Sequence, residues 1–593
     1  MLSTSARVVF TQLESYMIHP ASYVGVTCRP VFLLSTALFL IASAQAETPD
    51  IHPLELRADN APERAQPGLV KGSHVKVFIP SLPYLYTSHS INGALIKPSD
   101  NAKGWEYDMA TSHREIDDTT YEFTLRQGVQ FQDGTPFTAD AVVMNMEYFK
   151  RAPVLYSKID KVFDRAEKID DDTVRFYLTE KYGSFMNDAI WMQFYTKTYL
   201  ETNADPVTGA KVGWNGKASC PNLSMPGPYG LGPYILTEGY IEGDRQTKKA
   251  VLKANPYYWD KENYPKVETV TVFTELDTEQ AREMVLNKEG ELDITVIPPE
   301  DKVATILAPY SKLVISPSTS NIAIHMNLIN GHPSLKDRRV RRALNEALNH
   351  RNLLHFVFED EGQLSPFSPY FPGVSEVSKT LLPVPPDYDP YAPDVEKRLA
   401  AVLTGLKLKV LTQDRYKSLW RGIETQLKKV GVELEIELTT SEKEIFGPLL
   451  QTNAGHNKKQ WDLLVWGNDD WYFNHPFTAF FVFRTDNVWS TVFPDVTMNG
   501  YMDDLFRTPV DDPDFVLVCE RIMRRAYDEG YMLFVPTPNK VFAVNKEVVF
   551  NPYKMACIPL WKIQVTDQHW SVRPGPYPEK LKQPVEIMRT NER

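Results

Sequence analysis

Cysteine is scarce: this chain of 593 residues holds Cys28, Cys220, Cys519 and Cys557 and no others. Three of them lie beyond residue 46, an odd number that excludes a scaffold built on disulfides. One bridge at most can form, and the sequence does not reveal its pairing. No Cys-x-x-Cys occurs, which removes a thioredoxin-type redox pair and a zinc ribbon. Positive charge is also in deficit, with a formal net charge of −12. Residues 1–46 carry Arg7 and Arg29 against Glu14, so the remainder of the chain is more acidic still. That sign repels nucleic acid and anionic lipid but accepts cationic or zwitterionic ligands. Recognisable catalytic patterns are missing: no His-Glu-x-x-His, Walker A loop, Gly-x-Ser-x-Gly or dinucleotide fingerprint is present. Asn215-Gly216-Lys217 lacks the glycine loop of a phosphate cradle. Among 12 histidines, the pairs His325/His332 and His350/His355 miss the i,i+4 spacing of a helical metal site. Neither a metal nor a cofactor is expected, and the chain does not read as an enzyme.

The apolar run Val31–Ser43 follows Arg29 and ends at Ala44-Gln45-Ala46, a small-x-small cleavage pattern. It is shorter than the ~20 residues needed to span a bilayer. Residues 1–46 therefore read as a signal peptide cleaved after Ala46, with either Met1 or Met17 as the start. An uncleaved anchor is the competing reading. Cys28 precedes the apolar run, away from the cleavage point, which argues against a lipid anchor. The expected mature chain is a soluble monomer in the periplasm. At 43% hydrophobic and 24% charged residues it has an ordinary globular composition, and its length predicts two or three lobes.

Two βαβ patterns lie far apart. In the first, the β-branched run Glu268–Phe273 precedes a helix opened by Asp277 and running through Lys288, with Gly290 at its end and a strand over Leu292–Val296. In the second, Leu406–Leu411 leads to a helix over Tyr416–Val430 with the stripe Leu419, Ile423, Leu427 and Val430. Gly431 ends that helix, and Val432–Leu438 alternates as a strand. Each unit implies parallel strands joined by a helical crossover. Two such units predict two α/β lobes.

The stretch Tyr121–Val143 reads YEFTLRQGVQFQDGTPFTADAVV. Tyr121, Phe123 and Leu125 have strand period, Asp133–Pro136 is turn chemistry, and Thr138 sits as the N-cap of a helix carrying Val142, Val143 and Met146. Its wording resembles the signature of family 5 of the extracytoplasmic solute-binding proteins, which serve peptide, nickel-chelate and oligosaccharide ABC importers. Three further segments resemble the same family in the same order. They are Gly232–Leu236 with Asn255–Trp259, Leu286–Ile294, and the helix Pro333–Leu344, whose buried face is Val340, Ala343, Leu344, Ala347 and Leu348. The run Arg338, Arg339, Arg341, Arg342 on that helix is expected to be a solvated face. No Asp-Pro opening stands near residues 75–90, so family contacts there do not transfer.

The resemblance implies a bilobed α/β periplasmic-binding fold of the second type, with an extra inserted domain and a hinge. Lobe I would take residues 47–90, 216–315 and 536–593, the insertion 91–215, and lobe II 316–535. It also implies capture of a short peptide and delivery to an inner-membrane ABC permease. An oligosaccharide or opine, with Trp466, Trp471 and Tyr472 as stacking platforms, is an alternative ligand. A metal chelate or haem, faintly supported by His456 and His475, is another, and a secreted hydrolase is the alternative of a different class. The expected ligand-binding segment is Trp466-Gly467-Asn468-Asp469-Asp470-Trp471-Tyr472. By resemblance Asp469 would pair with a peptide's α-amino group. Asp470 remains its rival, because the proline at Pro476 stands three residues farther on than in the family's pattern.

Overall fold

The computed structural model describes residues 68–590 except 81–82, 152–156, 203–225, 243–244, 440–442 and 456–458. The signal segment, Asn215–Lys217, Cys220 and His456 lie outside the described residues. The described chain is built on three main sheets.

The largest sheet has eight strands. Its centre is Val70–Phe78, which runs parallel to both Val267–Phe273 and Ile294–Val296. The first βαβ unit thus places its two strands on either side of the chain's first described strand. Asp277 caps the intervening helix Thr278–Asn287, accepting from the Gln280 amide at 3.0 Å, a contact of about 1 kcal/mol. The late strand Lys540–Asn545 enters between Ile294–Val296 and Ser311–Ser316, antiparallel to both.

A five-stranded sheet holds the second unit. Strands Lys407–Gln413 and Glu433–Thr439 are parallel and adjacent. They flank helix Lys417–Lys429, whose Leu419, Ile423 and Leu427 are buried. Gly431 follows with φ of 81°, a left-handed position that a β-carbon would strain. Strand Leu463–Asn468 lies on the other side of Lys407–Gln413, parallel to it, and pairs antiparallel with Asn321–Met326.

A four-stranded antiparallel sheet forms the third unit, in the order Ala110–Asp117, Thr120–Leu125, Thr173–Leu178, Phe163–Asp170. Here Tyr121, Phe123 and Leu125 face inward. Asp133 accepts from the Thr135 amide at 2.9 Å, and Gly134 sits at φ 85° in the turn before helix Ala139–Arg151.

Two connectors, residues 316–320 and 534–539, join the eight- and five-stranded sheets. They are tied together through Ser365 and Ser368: the Ser368 hydroxyl donates to Ser318 O at 2.6 Å, and Thr537 Oγ1 donates to Ser365 O at 2.6 Å. Cys519 and Cys557 are both buried free thiols.

One sequence expectation fails here. Arg341 is buried, not solvated, while Arg338, Arg339 and Arg342 remain partly or largely exposed. Its guanidinium donates to Leu335 O and Lys336 O at 3.0 Å and to Glu529 O at 2.8 Å, and its second terminal nitrogen stands 3.4 Å from the Glu529 carboxylate. Paired donors make the buried charge tolerable, and they fasten helix Arg338–Glu346 to the end of helix Phe515–Glu529.

Candidate ligand-binding cleft

Strands Lys407–Gln413 and Leu463–Asn468 are parallel neighbours, so their carboxyl ends open on the same side. Ligands of open α/β sheets collect at such ends. Arg415 follows the first strand and Asp469 the second. Between them, Gly467 leaves room for the Tyr416 ring: a β-carbon there would stand 2.5 Å from the Tyr416 hydroxyl and 3.6 Å from Arg415 Nη2. Arg415 is exposed, and its Nε and Nη2 donate to the Gln413 amide oxygen at 3.1 and 2.8 Å.

Asp469 is half-buried, and Ser320 of the first connector donates to its Oδ1 at 3.2 Å. From the eight-stranded side, Tyr86 on helix Pro83–Ile91 comes within hydrogen-bonding reach of the same carboxylate. Burial, then the Asp469 charge, push the Tyr86 phenol well above its usual range, so it stays protonated as a donor. Lys540, at the start of its strand, donates to Met555 O at 2.9 Å and lies 5.3 Å over the Tyr86 ring. Burial pulls its ammonium down from the ordinary lysine value, opposed by the nearby Asp469 and Asp470 charges. The carboxylate of Asp469 therefore sits where both lobes and a connector meet, with the Lys540 ammonium in electrostatic range.

Asp470 has a different setting. It is fully buried; Oδ2 accepts from Thr319 Oγ1 at 2.7 Å and from the Asn474 amide at 2.8 Å, and Oδ1 accepts from Thr478 Oγ1 at 3.0 Å. Desolvation raises its pKa to about 6 against those hydrogen bonds. It shapes the turn that carries Phe473 and Asn474 at φ of 44° and 62°.

The aromatic residues of the segment also divide. Trp466 is buried against Phe446, Trp489 and Phe481. Tyr472 is fully buried, with its hydroxyl 2.5 Å from Asp188 Oδ2 and 3.1 Å from the Tyr182 hydroxyl. Trp471 is half-buried, and its carbonyl accepts from Trp191 Nε1 at 2.8 Å. Asn468 pairs through its backbone with Asn321. His475 is fully buried and held neutral, its pKa pushed down to about 3 by desolvation. Among the described residues no three His, Cys, Asp or Glu side chains gather as metal ligands.

Sequence reasoning missed Tyr86, Ser320, Arg415 and Lys540. Arg415 could have been found, since it is the basic residue just beyond the carboxyl end of a strand that the sequence marks as parallel. The other three carry no local signal.

Residues 104–490 match the family model of the bacterial extracellular solute-binding proteins, family 5. The chain belongs to that family. A similar curated relative is the glutathione-binding protein GsiB of Salmonella typhi, 28% identical over 281 residues, which are 46% of this chain and 48% of the relative. The chain thus spans about half the length of the curated relatives it matches first. Solved structures agree in fold. NikA of Brucella suis in complex with Fe(III)-EDTA superposes with a TM-score of 0.65 at 18% identity, covering 83% of this chain and 100% of that one. The oligopeptide-binding protein AppA of Bacillus subtilis with a nonapeptide gives 0.63 at 20% identity, covering 83% and 99%. The fold of this family 5 protein is accordingly the bilobed α/β fold of periplasmic binding proteins. No helix among the described residues is long and apolar enough to cross a membrane.

Proposed function

We propose that this family 5 protein is the periplasmic binding component of an ABC importer, capturing a short zwitterionic peptide between its lobes and handing it to an inner-membrane permease. In this reading residues 1–46 are removed on export. The eight-stranded lobe draws on 47–90, 216–315 and 536–593, the inserted unit on 91–215, and the five-stranded lobe on 316–535. Asp469 anchors the ligand's ammonium, and Arg415 offers a guanidinium for a carboxylate at the neighbouring strand end. The observation that carries the reading is the half-buried Asp469 carboxylate at the junction of both lobes and a connector. A charge left partly open there is matched to an incoming cation, whereas that of Asp470 is already spent on Thr319, Asn474 and Thr478. Stacking of a sugar on Trp466 or Tyr472 is disfavoured, because both rings are already packed inside the protein.

The named relatives make glutathione a direct first probe, beside tripeptides with free termini. Titration calorimetry should show saturable binding, and small-angle scattering should show a smaller radius on saturation. Micromolar binding corresponds to about −8 kcal/mol. Ligand at 100-fold over Kd should raise unfolding stability by about 2.7 kcal/mol. Tight binding of an uncharged oligosaccharide, with no peptide binding at millimolar concentration, would overturn the proposal.

A further inference from the structure

The segment that follows Asp469 does not stop at the cleft. It plugs into the four-stranded unit. Asn187 Nδ2 donates to Tyr472 O and Phe473 O at 3.0 and 3.1 Å, and the Trp191 ring stacks on Phe473 at 5.0 Å. The Tyr182 ring stacks on Phe506 at 5.6 Å, and Lys158 pairs with Asp503 at 2.5 Å. At the centre of this contact is Asp188, on helix Phe185–Ala189 and 1% exposed. Its Oδ2 accepts from Tyr182 of its own unit at 2.7 Å and from Tyr472 of the other at 2.5 Å. Among the described residues its Oδ1 has no hydrogen bond of normal geometry, with the Ser157 hydroxyl nearby.

We propose that Asp188, clasped by Tyr182 and Tyr472, is a proton-coupled latch, so that docking of the four-stranded unit onto the five-stranded lobe takes up one proton. This rests on the clamp reading above for its biological use, but its chemistry is independent of any ligand. Separation would leave Asp188 in water as an ordinary carboxylate, whereas docking seals it among phenols and apolar rings with no cation paired to it among the described residues.

Few charges surround it among the described residues. Asp160, on the short helix Ile159–Val162, adds like charge. Lys158 is committed to Asp503, which also binds Arg484 at 2.8 Å. His475, facing from the docked loop with Nε2 3.3 Å from Ser184 Oγ, is neutral across the working range. On helix Phe515–Glu529, Phe515 covers His475 with an uncharged ring. Desolvation accordingly raises Asp188 to about 7 in the docked state. Asp470, though raised to about 6, has its hydrogen-bond partners on its own lobe and connector, and separation of the two units leaves them in place.

The direction follows from linkage. An acid whose docked pKa lies above its separated pKa favours docking as pH falls. The docking constant should rise up to tenfold per pH unit between about 7 and the ordinary carboxylate range near 4, and level off above 7. Small-angle scattering of the unliganded full chain from pH 8.5 to 5 tests this without a ligand. The wild type should compact as pH falls below about 7. Asp188→Asn, a neutral isostere, should be compact and pH-independent. Should that variant misfold, Tyr472→Phe serves instead: losing one donor to the carboxylate moves the onset to higher pH. A wild-type radius constant across the range, an Asp188→Asn profile matching the wild type, or an onset unmoved in Tyr472→Phe overturns the latch. Failure of glutathione or tripeptides to bind would count against the clamp reading alone.

Discussion

Replacing Asp469 by Ala tests the amine anchor most directly. The carboxylate is half-buried and touches Ser320 at 3.2 Å, with Tyr86 in reach and Lys540 nearby. Truncating one member of a charge pair closed inside an interface typically costs about 2–5 kcal/mol. Because Asp469 is only half-buried, the lower part of that range applies, about 2–3 kcal/mol or roughly 30- to 150-fold in Kd. Asp469→Asn should lose nearly as much, since the amide keeps the shape and a hydrogen bond to Ser320 but not the charge. Calorimetry with a free tripeptide and its N-acetyl derivative separates the anchor from a structural role. Acetylation should weaken wild-type binding by about the same factor as the mutation, and should hardly affect Asp469→Ala. If both peptides bind Asp469→Ala as tightly as wild type, the assignment is refuted. If the mutation weakens both peptides by one common factor, Asp469 supports the cleft without meeting the amine.

Other expectations concern stability and processing. Asp293 is fully buried and accepts from Asn545 Nδ2 at 3.0 Å, Trp570 Nε1 at 2.9 Å and the Lys76 amide at 2.8 Å, with His569 Nε2 3.2 Å away; Asp293→Ala should cost about 3–5 kcal/mol in denaturant unfolding. The chain His569–Ser571 beside it has triad atoms, but the Ser571 oxygen accepts the His74 amide at 3.0 Å, so Ser571→Ala should leave peptide binding unchanged in calorimetry. His325 is fully buried and pushed down to about 3 by desolvation. Below pH ~6.5 the unfolded chain takes up its proton and the folded one does not, so this residue withdraws up to about 1.4 kcal/mol per pH unit as pH falls toward 3. Acid unfolding of His325→Gln should be correspondingly less steep. Exported protein should begin at Glu47 on N-terminal sequencing; an intact Met1 or Met17 on the exported species would refute cleavage.

Local grammar made much of this protein legible before its tertiary structure. The alternation of Tyr121, Phe123 and Leu125, the Asp277 cap, Gly431 and the stripe Leu419–Ile423–Leu427 depend on neighbours a few residues apart, which is the range over which backbone preference and periodicity act. Family wording over residues 104–490 has the same origin, since it is written in turns, caps and buried faces. The sequence also marked the segment Trp466–Tyr472. What it could not do was assign each member of that segment. Adjacent carboxylates look alike in sequence, yet Thr319, Asn474 and Thr478 enclose Asp470 while Asp469 stays half-buried. Likewise Arg341 among four arginines is drawn inside only because Glu529, 188 residues away, meets it with its carbonyl and its carboxylate beside the nearby carbonyls of Leu335 and Lys336. Tyr86 and Ser320 come to Asp469 from far earlier in the chain, and Lys540 from another sheet. Burial and charge pairing are properties of the closed packing, and only the tertiary structure brings those partners within reach.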